Sequence, residues 1–357
     1  MKKSIEWIKS HPIVSFFALT LVLTYALLFP ALYLIDRSDQ DLIVIFSLYA
    51  ARLGVYSPVL VGMLITRWIL PDQSPTSASK RWSIFGIVWL VALIVSALDL
   101  QRGGAPLEWV PLLILSIPIA VLPAFVVSSA FSRVTSLREY LSTLVHLKGN
   151  LIYYLIALLT FPVLYILGLA ITQLLTGEPR LSSVQLSPEI LLATLITFAS
   201  VFFYSGGINE EGGWRGFAQR RLQTKYSPLI ANVLLWAYLV IVHIPNDILQ
   251  YRDGDYLLVR FGLYPFIIIL FGWVYNRTRG SILAPALFHA SMNSMNTLQV
   301  AIPGTIAMSV LLVLFSVLVV FLDRMWKKLP TDHSAVYPGG QSSRNVFRPF
   351  QLKRGTS

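Results

Sequence analysis

Apolar runs long enough to cross a bilayer recur along the whole chain, and they constrain its fold more than any other feature. A spanning helix needs roughly 20 mostly apolar residues. Such stretches lie near 13–35, 43–66, 83–98, 108–130, 151–175, 189–212, 229–249, 258–275, 281–302 and 305–322. The third is short, and Pro111, Pro118 and Pro123 interrupt the fourth. The reading is an all-α polytopic membrane protein of about eight to ten transmembrane helices. The first span follows Met1-Lys2-Lys3 but is too long for the apolar region of a signal peptide and has no small-residue cleavage site after it. It is expected to be retained. A mean hydropathy of +0.67 with only 13% charged residues excludes a disordered chain and an ordinary water-soluble domain. The chain has no cysteine, so disulfides, iron–sulfur clusters and a thiol nucleophile are excluded.

The net charge of +11 would suggest nucleic acid in a soluble protein. Its distribution gives another reason. With ten spans and the N-terminus inside, the inner segments collect Lys2, Lys3 and Lys9, then Arg67, Lys80 and Arg81. They continue with Arg133, Arg138 and Lys148, with Arg215, Arg220, Arg221 and Lys225, with Arg277 and Arg279, and with the basic residues from Arg324 onward. The outer loops hold only Arg37, Arg102, Arg180, Arg252 and Arg260. This is the asymmetry expected of cytoplasmic loops. It accounts for the basicity through the bilayer, places both termini in the cytoplasm and implies no nucleic-acid partner. No repeat of fixed period is visible.

Ionisable groups inside spans are costly and mark function by default. Three places have them: Asn209-Glu210-Glu211-Gly212-Gly213-Trp214-Arg215, His243 before Ile244-Pro245, and Phe288-His289 with Asn293. If the sixth span continues as a straight helix to Arg220-Arg221, Glu210 lies about 15 Å from the inner interface at about 1.5 Å per residue. The same count puts His289 about 15 Å and His243 about 22 Å deep. All three are then expected to meet near mid-membrane, with Gly212-Gly213 as the place where the first helix could break. Glu211 and Arg215 are four apart and can pair, whereas Glu210 points about 100° away. His289 and Asn293 share a face. A free carboxylate, two imidazoles and an amide can activate water and stabilise an oxyanion. One Glu and two His are equally a catalytic zinc set.

At these residues the chain resembles the CAAX protease and bacteriocin-processing (CPBP, or Abi) family of intramembrane endopeptidases, in a bacterial-type form. Glu210, Glu211 and Arg215 fit its Glu-Glu-x-x-x-Arg motif, and His289 and Asn293 fit His-x-x-x-Asn. His243 fits Phe-x-x-x-His, with Leu239 where the family usually has an aromatic. The resemblance covers roughly residues 190–300. It implies that Glu210 activates water, that His243 and His289 position water or the substrate carbonyl, and that Asn293 helps hold the oxyanion. Glu211 and Arg215 would support them. No metal is favoured; if there is one, zinc on Glu210, His243 and His289 is the expected form.

The division that follows is 1–187, N-terminal spans without a motif; 188–326, the catalytic core; and 327–357, a basic cytoplasmic tail expected to be disordered. The implied substrate is a membrane-associated protein or peptide, prenylated in a eukaryotic or archaeal host, and the implied location a bacterial plasma membrane. Two other readings exist: a non-catalytic immunity or scaffold protein of the same fold, and a proton-coupled transporter. Arg52 with Tyr56 and Ser57 forms a further polar cluster. Asp247 stands four residues from His243 and could orient it, although an outer-interface position is the plainer reading. Asp99 reads as a loop charge.

Overall fold

The computed structural model describes residues 2–35, 37, 41–69, 78–103, 108–184, 187–250, 258–298 and 306–337. Among them there are helices and turns and no strand; a helix satisfies its own backbone groups without water. Seven helices are long and apolar enough to cross a membrane, and two shorter apolar ones accompany them. The chain is thus an all-α polytopic membrane protein.

A short helix α1 (Lys2–Ser10) leads into α2 (Pro12–Ile35), which pairs with α3 (Asp41–Ile69). The next pair is α4 (Ala78–Arg102) and α5 (Trp109–Ser129). The third span is therefore longer than the apolar run 83–98. Its polar ends, including Asp99, belong to the helix. Pro118 and Pro123 are both accommodated inside α5. After α6 (Thr135–Leu141) come α7 (Ile152–Thr176) and α8 (Pro188–Tyr204).

The stretch following α8 does not run straight. The helix stops at Ser205, Gly206 has φ +135°, and α9 (Ile208–Glu211) restarts it. A π-helical segment, Gly212–Gln219, carries the chain into α10 (Arg220–Leu222). The break thus lies one turn before Gly212-Gly213. Those two glycines instead serve close packing: a Cβ at Gly213 would strike the Pro58 backbone of α3, and one at Gly212 would meet Val59. Small residues allow such close approach of helices in a bilayer. Next come α11 (Pro228–Gln250), α12 (Tyr264–Arg277), α13 (Leu283–Ser294) and α14 (Ile306–Leu322). The expected span 281–302 is only the short, largely buried α13, followed by a 3₁₀ turn to Leu298.

Two apolar clusters fill the bundle. One joins α2–α6 with α8–α11, reaches α12 and α13 through Ile268, Tyr275 and Ala286, and includes Tyr56, Trp214 and Phe217. The other joins α7 and α12–α14 and includes Phe161, Phe271 and Phe288. Leu155, Leu159, Ile87 and Leu90 are among many exposed apolar side chains that point outward, toward where lipid lies.

The segments rich in inner Lys and Arg meet at one end. Ser281 Oγ donates to the Thr143 carbonyl, Gly149 abuts Arg277 and Thr278, and Tyr337 N–H donates to the Arg220 carbonyl. The stretch 327–337 is therefore not a free tail. Gln223 Nε2 donates to the Ala335 carbonyl at 2.9 Å, Ala335 and Val336 are buried, and Arg221 lies 4.0 Å over the Tyr337 ring. The composition of this stretch is polar, but its Ala335 and Val336 plug the end of the bundle. The rest of the expected tail, 338–357, lies outside the described residues.

Candidate active site

The break at Ser205–Gly207 places the carboxylates. Gly206 N–H donates to Asn209 Oδ1 at 3.1 Å, and Asn209 Nδ2 donates to the Val55 carbonyl of α3 at 3.3 Å. Asn209 is fully buried, so it ties the restarted helix to its neighbour. Glu210 and Glu211 follow on adjacent faces of this turn and find different partners, as their 100° separation requires.

Glu211 looks inward. Its Oε1 accepts from Nδ1 of His289 on α13 at 2.9 Å, and its Oε2 lies 3.3 Å from Nη1 of Arg215. Glu211 and Arg215 are each 1% exposed. The guanidinium also lies 4.8 Å from the centre of the Phe271 ring, a favourable cation–π position. This pairing ties α9 to α13, whose Phe288 belongs to the second apolar cluster. The Glu211 contact assigns the His289 proton to Nδ1 and leaves Nε2 as an acceptor. That nitrogen faces Gly206, where a Cβ would collide with the ring.

Glu210 is half-buried, and its Oε2 accepts from Trp214 Nε1 at 3.2 Å. His243 Nδ1 is bonded to the Leu239 carbonyl at 2.8 Å, one turn back on α11, and its ring meets Tyr264 edge-on at 5.8 Å. The contact at position 239 therefore runs through the backbone, which explains how leucine can stand where an aromatic is usual. Asn293 is half-buried, one helical turn beyond His289 on α13.

Unpaired polar atoms concentrate here. Arg215 Nε and Nη2 and Gln219 Oε1 are buried without a hydrogen-bond partner among the described residues, and Glu211 Oε2 has only its ion contact with Arg215. Glu211, Arg215, Gln219 and Gln223 form a buried ladder at four-residue spacing, from the site toward the basic end. Gln219 Nε2 donates to Gln223 Oε1 at 3.1 Å, and Gln223 exchanges hydrogen bonds with Asn276.

Among the described residues no group of three His, Cys, Asp or Glu is placed to hold a metal. Of the three expected ligands, His289 gives Nδ1 to Glu211, His243 gives Nδ1 to a carbonyl, and Glu210 takes the Trp214 indole.

Other polar residues have structural partners. Arg52 lies 3.8 Å from Asp99 and 5.5 Å from the Tyr204 ring, and Asp99 also accepts from Ser200 at 2.7 Å. Asp99 is thus a helix residue and not a loop charge. Tyr56 donates to the Phe203 carbonyl, and Ser57 pairs with Thr24. Asp247 holds Arg260 through two bonds of 2.6 and 2.7 Å and does not orient His243. Sequence reasoning missed Tyr264, whose ring borders His243 and lies 4.6 Å from the Arg260 guanidinium. No spacing pattern pointed to it. Trp214 could have been found, being four residues after Glu210.

Residues 191–295 match the family model described as Type II CAAX prenyl endopeptidase Rce1-like. The match takes in all six motif residues from Glu210 to Asn293 and supports membership of the CPBP family. That family is a protease family. No curated protein matches the chain.

Proposed function

With the Rce1-like domain as premise, we propose that the chain is a glutamate-type intramembrane endopeptidase that cleaves a membrane-associated protein or peptide. Glu210 takes a proton from the attacking water. His243 and His289 position that water, which can donate to their Nε2 atoms. Asn293 donates its amide N–H to the developing oxyanion. Glu211 and Arg215 act through His289: the carboxylate fixes its tautomer and the guanidinium holds the carboxylate. The basic end faces the cytoplasm, in the plasma membrane of a bacterium. Substrates are peptides or membrane proteins, with a prenylated C-terminus as one substrate class.

The observation that carries this reading is the Glu211–His289 contact of 2.9 Å with Arg215 behind it, buried in an apolar bundle. A buried ion pair is a poor source of stability compared with apolar packing. Its presence beside a second carboxylate, with unpaired donors and acceptors around it, fits a site that handles water and a polar transition state.

The test reconstitutes the protein in liposomes and compares it with Glu210→Ala on membrane-anchored and prenylated peptides. Cleavage by the parent alone, unaffected by a chelator, is expected. Equal cleavage by both removes Glu210 from its role. Loss of activity on chelation replaces the glutamate mechanism with a metal one.

A further inference from the structure

The basic end of the bundle carries a cleft of about 620 Å³. It lies between the turn that starts α7 and the turn that ends α12. Asn150, Tyr153, Asn276, Arg277, Arg279 and His333 line it, and no carboxylate does. None of the proposed catalytic residues lines it, and its ligand does not depend on the reaction proposed above.

The charge around the cleft is incompletely compensated. Arg277 is bridged to Asp323, so its charge is met. Arg279 is exposed and makes no salt bridge among the described residues. Burial, and then Arg220, press the Lys148 ammonium toward its neutral form. Burial, and then Arg279, do the same to His333, with Asp332 acting weakly the other way. The neighbourhood is thus one in which positive charge is in excess.

The donors left over suit a phosphate. His333 Nδ1 accepts from the Ala335 N–H at 3.2 Å, so the proton of the neutral ring is on Nε2. Asn150 uses Oδ1 to cap α7 at Ile152 N–H, which leaves its NH₂ group. The Arg279 guanidinium adds a charged fork. Arg279 also has φ +53°, a left-handed conformation that glycine or asparagine adopts more cheaply. The turn is closed by Gly280 N–H to the Tyr275 carbonyl at 2.8 Å and by Ser334 Oγ to the Arg279 carbonyl at 2.7 Å. Strained residues of this kind cluster where a side chain has a task.

The level of the cleft selects the source of the phosphate. Two spanning helices, Ile152–Thr176 and Val259–Arg277, both terminate there. Tyr153 packs edge-on against Trp273 at 5.5 Å, the aromatic signature of a headgroup level. From its lip an exposed apolar row, Leu151, Ile152, Leu155 and Leu159, runs along α7 into the bilayer. We propose that this cleft seats the phosphate of an anionic glycerophospholipid, with an acyl chain lying along that row.

The experiment uses the full chain in detergent micelles and counts bound lipid by native mass spectrometry. The probes are phosphatidylglycerol, phosphatidylcholine and inorganic phosphate as competitor. Arg279→Asn removes the charge and suits the φ; Arg279→Gly is the second variant. Lys328→Gln removes an exposed charge from the same end of the chain, outside the cleft lining. The parent is expected to retain phosphatidylglycerol over phosphatidylcholine. Both Arg279 variants should bind it about tenfold more weakly, the scale of one lost charged hydrogen bond, and Lys328→Gln should stay within about twofold, as expected for a diffuse surface charge. Equal losses in Arg279→Asn and Lys328→Gln would reduce the effect to diffuse attraction and overturn the site. Absence of headgroup preference would do the same. Displacement of the lipid by millimolar inorganic phosphate would overturn the lipid assignment and make the cleft a site for soluble phosphate.

Discussion

Replacing Gly206 by alanine tests the geometry that holds His289. Two costs arise at once. The backbone there has φ +135°, a region essentially closed to residues with a side chain, at about 1–3 kcal/mol. The new Cβ would also collide with Nε2, Cδ2 and Cε1 of His289. The ring cannot swing aside without losing its 2.9 Å bond to Glu211, a charge-assisted contact of about 1.5–3 kcal/mol. The expected destabilisation is therefore about 2.5–6 kcal/mol, a large share of the usual ~5–15 kcal/mol of a folded domain. Denaturant unfolding in mixed micelles measures it. The separation of the two costs lies in a double-mutant cycle. In a His289→Ala background the collision is gone, and only the backbone cost of about 1–3 kcal/mol should remain. A coupling of about 1.5–3 kcal/mol is expected. Additivity within about 0.5 kcal/mol would refute the placement of the imidazole over Gly206.

Three further outcomes follow from the same geometry. Glu211→Gln leaves the buried Arg215 guanidinium without its counter-charge, so it should lower stability by about 3–5 kcal/mol, whereas half-buried Glu210→Gln should cost far less; thermal unfolding of both variants compares them. Leu239→Phe inserts volume at a position 1% exposed and should cost about 1–3 kcal/mol by overpacking, yet leave His243 oriented, because that bond is to the backbone carbonyl; a retained histidine ring shift by NMR in the variant checks this. Burial and Arg279 hold His333 below its ordinary 6.5 in the folded state. The unfolded chain then binds more protons as pH falls below 6.5, so stability is present above that value and declines beneath it. His333→Asn should flatten this part of the stability–pH curve, and an unchanged slope would remove His333 as its source.

Much of the candidate site was legible because its spacing is local. Glu211 with Arg215, and His289 with Asn293, need only the pitch of one helix, and the 100° offset of Glu210 from Glu211 correctly anticipates separate partners. The depth estimate was less complete, since it assumed a straight helix through Gly206. The break there depends on Asn209 reaching the Val55 carbonyl of α3, a contact 154 residues away in the chain. The bond from Glu211 to His289 was similarly hidden. Both residues were singled out, yet nothing in their spacing says that the supporting carboxylate, and not Glu210, would hold this imidazole.

Hydropathy alone determined that the chain is helical and membrane-embedded, because unbroken apolar runs of about 20 residues fit a spanning helix and are twice the length of a spanning strand. Charge asymmetry in the loops likewise anticipated which segments would gather at one end. Tertiary structure decided the rest: the length of α4, the shortness of α13, the π segment, and the docking of 327–337. The last is instructive. Composition marked that stretch as polar and basic, but Ala335 and Val336 fill the end of the bundle and Tyr337 covers Arg221. The cleft at the basic end is likewise a property of the surfaces around it: its lining comes from 149–153, 276–279 and His333, so no window of sequence contains it.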